Sequence, residues 1–212
     1  MVEFINNHKA CIGYRTDAWG CLQIESAECK PEFQKTYQTA ELVCHAMRRM
    51  PKHVRTFYAL ASPSSEAIEY SQSLGMNRIE IPSMLNGKDA VLVWRRFTRL
   101  LMPGYILDDD DNWILKSLIQ RAQPIDVGFE LDPEQHDALL LTPGTEPNAG
   151  LKLIDAAKTN GLPIYLLLDG REPHKILAAN VDVIIDALPN YSRVNSRWAL
   201  EAIAKINGDI SG

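Results

Sequence analysis

The chain has 212 residues, 46% of them hydrophobic and 23% charged, with a formal net charge of −5 and a pI near 5.6. That balance is ordinary for a globular protein, and the acidic surplus argues against nucleic acid as a partner. No apolar run nears the ~20 residues that a membrane span needs, and MVEFINNHK lacks the basic-then-apolar order of a signal peptide. The expected setting is therefore the cytoplasm, with no membrane partner.

Four cysteines, Cys11, Cys21, Cys29 and Cys44, fall in the first fifth of the chain, with His8, His45 and His53 nearby. None of the spacings is the close pair that builds a zinc site, so buried free thiols are expected and no metal. Lys9–Arg15 reads as a short first strand ending at Gly13, where a glycine permits a tight turn or a close ligand. Thr16–Pro31 is irregular and reads as a loop or small hairpin. Phe33–Met50 carries a helical stripe of Tyr37, Ala40, Leu42, Val43, Ala46 and Met47, closed by Arg48, Arg49 and Pro51.

Val54–Ala61 is expected to be a second strand, followed by Ser62-Pro63-Ser64-Ser65 as a cap and a helix to Gly75. Arg78–Pro82 suggests a third strand, and Asp89–Met102 a third helix ended by Pro103-Gly104. Leu92, Trp94, Phe97 and Leu100 cover more than one face of that helix, which suggests a homodimer contact. Tyr105–Glu134 fits the alternation poorly and reads as an insertion, helical around Leu115–Ile119. Its run Asp108–Asp111 lacks the spacing and glycine of a calcium loop and reads as an exposed acidic turn.

The clearest stretch is His136–Asp169. Ala138–Leu141 is a continuous apolar run, Pro143–Gly150 a turn-rich loop, and Leu151–Lys158 a helix stopped by Gly161. Pro163–Leu168 is a second apolar run. Such alternation marks strands buried on both faces of a parallel sheet. A short helix at Ile176–Ala179, an edge strand at Val181–Asp186 and a closing helix at Ser196–Ile206 complete the pattern. The expected fold is α/β: a single domain spanning residues 1–212, three-layered and Rossmann-like. Its mostly parallel sheet has five or six strands, with the insertion at 105–134.

Ligands of open parallel sheets gather at the carboxyl ends of the strands. Gly144, Thr145, Asn148 and Gly150 in the central loop, with Ser62 and Ser64 after the second strand, should then share one cleft. Thr145 and Asn148 offer hydrogen bonds, and free N–H groups before Leu151 would receive an anion. Gly13, Arg15 and Arg96 could complete a phosphate site, arginine gripping phosphate in a two-pronged geometry. Each also has a structural explanation, with Asn148 and the serines as helix caps and Arg95, Arg96 and Arg99 as a solvated face.

The order of elements over residues 9–168 resembles the SLOG superfamily, which includes LOG-type nucleotide phosphoribohydrolases, DprA-like proteins and small proteins of phage and bacteria. Ile12-Gly13-Tyr14-Arg15 is similar to that family's Gly-Ser-Arg turn. Pro143–Asn148 with Gly161-Leu162-Pro163 is similar to its Pro-Gly-Gly-x-Gly-Thr loop and following Gly-x-Pro. The glycines of its phosphate loop are absent from Ala61–Ser65. Gly150 and Leu151 stand where its catalytic glutamate belongs. The resemblance implies binding of a nucleotide or nucleotide-derived small molecule, as a sensor or sequestering protein without a further cofactor. The alternatives are an N-glycosidic hydrolase or transferase using Glu146 or Asp17, and a decayed module with a structural role. A nucleoside deoxyribosyltransferase would show a similar order, with glutamate in place of Asn148.

Overall fold

The structure is a computed structural model, and it describes residues 2–33, 37–85, 88–104, 109–186 and 197–209. Where the sequence suggests a single domain, the chain divides into two compact units. The first is Met1–Phe97 with Gln120–Ala122, and the second is Thr98–Ile119 with Gln123–Gly212.

The first unit is a six-stranded sheet. Its strands are β1 (Glu3–Asn6), β2 (Ala10–Thr16), β3 (Leu22–Cys29), β4 (Thr56–Ala61), β5 (Asn77–Leu85) and β6 (Lys88–Arg96), ordered β1-β2-β3-β4-β6-β5. Only β3 and β4 pair in parallel; every other neighbour is antiparallel. Between β3 and β4 runs α1 (Gln38–Arg49), whose Ala40, Val43, Cys44 and Met47 are buried over β2 and β3. Helix α2 (Ser65–Ser73) follows β4.

Of the two readings for residues 16–31, a loop or a small hairpin, the chain takes the hairpin, β3 pairing antiparallel with β2. Asp17 accepts the N–H groups of Trp19 (2.9 Å) and Cys21 (2.8 Å), and Gly20 takes φ 74°, so the chain reverses directly into β3. The buried half of β3, Leu22–Ile24, is short, and exposed Glu25–Glu28 erases the alternation that would have marked it.

The expected helix at Asp89–Met102 is two strands, β6 and β7 (Leu100–Pro103), in different sheets. A dense apolar run satisfies both the helical and the extended period. Burial decides between them: Ala90, Val91, Val93 and Arg95 are buried while Leu92 and Trp94 are half-buried, a near-alternation of two. With no helix there, the helical face proposed for a homodimer does not exist.

In the second unit, β7, β8 (Ile125–Gly128), β9 (Ala138–Leu141), β10 (Ile164–Leu168) and β11 (Val183–Asp186) form an all-parallel sheet ordered β11-β10-β9-β7-β8. Numbered from β7, this is the doubly wound order 2-1-3-4-5. Helices α3 (Asp109–Ile119) and α6 (Arg197–Asp209) cover one face through Ile114, Leu118, Trp198 and Ile203. Helices α4 (Pro147–Thr159) and α5 (Lys175–Ala178) cover the other through Leu153, Ile154, Ala157 and Leu177. The part of residues 105–134 that is described is thus no insertion: α3 and β8 belong to the sheet and its cover. Asp108 lies outside the described residues, and Asp111 is buried rather than part of an exposed turn.

A buried ion pair joins the starts of the two central strands. Arg99 donates through its backbone N–H (2.9 Å) and Nε (3.1 Å) to Asp137 Oδ2, and through Nη2 (3.3 Å) to Oδ1. The Arg99 carbonyl accepts the N–H groups of Asp137 (2.8 Å) and Ala138 (3.3 Å) in return. Arg99, expected on a solvated face, is 2% exposed. Removing one member of such a pair strands the other in low dielectric, so Asp137→Ala should destabilise the second unit by ~3–5 kcal/mol. Urea unfolding followed through hydrogen exchange of the β7 and β9 amides reads this directly; an unchanged midpoint would refute it.

Candidate functional site

The expected ligand residues fall in two separate sheets. Gly13, Arg15, Ser62, Ser64 and Arg96 belong to the first unit, and Gly144, Thr145, Asn148 and Gly150 to the second. The premise that the loops after Ala61 and Leu141 open on one shared sheet edge therefore fails.

Several of these residues serve the fold locally. Gly13 lies inside β2, where a Cβ would approach Ser26 Oγ to 2.8 Å and the Phe4 ring to 3.0 Å. The glycine there makes room for a cross-strand aromatic, not for a ligand turn. Arg15 pairs with Glu25 (2.6 Å) and donates to Gln23 Oε1 from Nε and Nη2 (3.2 and 3.1 Å). Arg96 is an exposed strand end rather than a helical residue. Its neighbour Arg95 is buried and donates to the carbonyls of Leu74, Arg121 and Ala122; burial pulls its pKa down to about 10. Ser62 and Ser64 are exposed after β4, and the Ser64 carbonyl accepts the Ile68 N–H (3.1 Å), the first turn of α2.

In the second unit the N-terminus of α4 is already supplied with an anion. Glu146, not Asn148, is the N-cap: its carboxylate accepts the N–H groups of Asn148 (3.1 Å) and Ala149 (2.8 Å). These bonds hold its pKa below the usual carboxylate value. The cap contribution is thus present above about pH 4.5 and is lost as the pH falls through the depressed folded value. Thr145 Oγ1 accepts the Thr142 N–H (3.0 Å), closing the turn.

Gly144 passes so close to the Asp111 carboxylate that a Cβ would collide with it. That carboxylate is 3% exposed and bonds Arg171 Nη2 (2.7 Å), which also holds Asp169 Oδ2 (2.5 Å). Beside Gly144, Asp111, Arg171 and Asp169 thus satisfy one another's charges. The two acids proposed for catalysis are likewise engaged, Asp17 in the β2–β3 turn and Glu146 in the α4 cap.

Two open features remain. In the first unit β3 and β4 are paired only from Leu22–Phe57 to Ile24–Ala59, although β3 runs on to Cys29 and β4 to Ala61. The strands part at their carboxyl ends, with Glu25–Glu28 exposed. The sequence held no sign of this, because strand divergence is a property of pairing. In the second unit a cleft of about 510 Å³ is lined by Pro143, Thr145, Pro147, Glu172, Pro173, His174 and Lys175. Of these only Thr145 was a sequence candidate. Among the described residues no group of three or more His, Cys, Asp or Glu is placed to hold a metal ion. None of the four cysteines, all among the described residues, is in a disulfide; burial pushes the Cys44 thiol up to about 12. No described helix is long and apolar enough to cross a membrane.

No family model and no curated protein sequence matches the chain. Among solved structures it is similar to Ard1 from Thermoplasma volcanium, with a TM-score of 0.36 and 14% identity over 42% of this chain and 62% of that one. It is similar to a chain of the NatC complex bound to Gag peptide and CoA (0.35, 17%, 42% and 61%). It is also similar to a GNAT-family acetyltransferase from Bacillus cereus ATCC 10987 (0.36, 10%, 43% and 66%). The chain thus spans less than two thirds of the length of each of these three chains.

Gly150 tests whether the central loop is built for packing. A Cβ there would meet Leu177 Cδ2 at 2.8 Å and Thr145 Cγ2 at 3.0 Å. Gly150→Ala should cost ~1–3 kcal/mol by overpacking. Gly208→Ala, in α6 with nothing within 4 Å, should be neutral or stabilising by up to ~1 kcal/mol. Equal effects in thermal unfolding would contradict this account.

Proposed function

We propose that the first unit binds a nucleotide-derived small molecule carrying an extended amide arm, in the wedge where β3 and β4 part. The observation that carries the reading is the early end of their pairing. β3 stays paired with β2 to Cys29, and β4 with β6 to Ala61, so each keeps its other edge in the sheet. Among the described residues no strand lies between the facing edges, and their backbone groups are open to a bound chain. An arm with N–H and C=O groups at peptide spacing would satisfy both edges as an added strand does.

The charged end of such a ligand has a place at the same edge. Helix α1 begins beyond the carboxyl end of β3, and its N-cap residue Tyr37 supplies no side-chain cap. The positive end of the α1 dipole favours phosphate there. Ser62 and Ser64, after β4, add hydroxyls along that edge. The second unit's strand order supports a Rossmann-like reading for that half alone. Binding is favoured over N-glycosidic catalysis because Glu146 and Asp17 are both held by backbone N–H groups.

Coenzyme A, the ligand bound in the NatC structure, has both a nucleotide and an amide arm and serves as the probe. Calorimetry should give a dissociation constant of roughly micromolar, about −8 kcal/mol. Adenosine 3′,5′-bisphosphate, which lacks the arm, should bind at least about tenfold more weakly. Hydrogen exchange should show coenzyme A protecting the amides of residues 25–29 and 60–61. No heat from coenzyme A, or protection confined to the second unit, would overturn the proposal.

A further inference from the structure

The second unit has a binding feature independent of that wedge. Its cleft lies between the loop joining β9 to α4 and the loop joining β10 to α5, at the carboxyl edge of the parallel sheet. At about 510 Å³ it falls in the size range of small-molecule sites.

The lining has two parts. Pro143, Pro147 and Pro173 form apolar walls with fixed φ and no N–H donors, so they are rigid and offer no hydrogen bond to an anion. The polar part is Thr145, whose hydroxyl oxygen accepts the Thr142 N–H, and the exposed Glu172, His174 and Lys175 of one segment. Glu172 and Lys175 stand three residues apart and form no ion pair with each other. His174 Nδ1 accepts the Ile176 N–H (3.4 Å), which leaves Nε2 as the ring nitrogen available to the cleft. One acidic residue, one lysine and one histidine therefore line a single proline-walled cleft.

We infer that this cleft binds a free amino acid, its ammonium on Glu172, its carboxylate on Lys175 and His174, and an apolar side chain against the three prolines. A zwitterion meets both signs of charge at once. A simple anion or cation would leave one of them facing a like charge. The α4 N-terminus does not compete for the carboxylate, because Glu146 already holds it.

The test uses the full chain and saturation-transfer NMR with a panel of apolar L-amino acids at roughly millimolar concentration. Proline, valine and leucine should bind, while N-acetylleucine and leucine amide, each missing one charge, should bind at least about tenfold more weakly. Glu172→Gln and Lys175→Gln are exposed substitutions that leave the fold intact by circular dichroism, and each should reduce binding of leucine to the same degree. Coenzyme A titrations of these variants should be unchanged, which separates this site from the wedge. Equal binding of leucine and N-acetylleucine would overturn the inference, as would no response from any amino acid.

Discussion

The second unit depends on one buried contact, the Arg99–Asp137 pair. Two unit charges lie at 2% and 0% side-chain exposure, where neither is stable alone. The pair endures because every hydrogen bond around it is met, including reciprocal bonds through the Arg99 backbone. It sits just ahead of β7 and β9, the strands from which the chain leaves in opposite directions to cover the two faces. Fixing their starts fixes their register, Leu100 against Ala138 and Leu101 against Leu139. The carboxyl ends of those strands, and every loop that follows, inherit that register.

A second regularity is that this protein answers its own charges. Glu146 supplies the anion for α4, Arg171 the cation for Asp111 and Asp169, and three carbonyls the acceptors for buried Arg95. Each is a place where a sequence reader would look for a ligand. Among the described residues, the features left open are of another kind: strand edges without a neighbour, and a proline-walled cleft whose acid and base do not pair with each other. Function is better sought where the chain has not satisfied itself.

The parallel half of the fold was legible because its signals are local. Ala138–Leu141 and Ile164–Leu168 are continuous apolar runs, and Gly161, at φ 63°, ends the helix between them as a glycine should. The α4 cap was misassigned by two residues, since Asn148 is a good cap by type but Pro147 at N1 places the start at Glu146. The region 89–102 was misread because Val91, Val93 and Leu100–Met102 are apolar in either period, and only the near-alternating burial of β6 separates them. The surroundings of the candidate site residues were less legible than the fold. Arg15 and Gly13 have cross-strand roles that depend on Glu25, Phe4 and Ser26, residues made neighbours only by pairing.

That Ser62 and Thr142 do not follow strands of one sheet has a specific origin. A strand–helix–strand sequence suggests parallel neighbours, and β3–α1–β4 obeys this. After β4 the chain passes through α2 to β5, which has the same local appearance. Yet β5 takes the sheet edge and turns back through β6, and β6 fills the place beside β4 in antiparallel sense. No local signal in Arg78–Pro82 distinguishes these outcomes, because the choice rests on which strand reaches the β4 edge. Among the described residues the result is a sheet with a single parallel pair, and therefore a single place in it where two strand carboxyl ends and a crossover helix meet. That pair is β3 and β4, and it is the pair that separates.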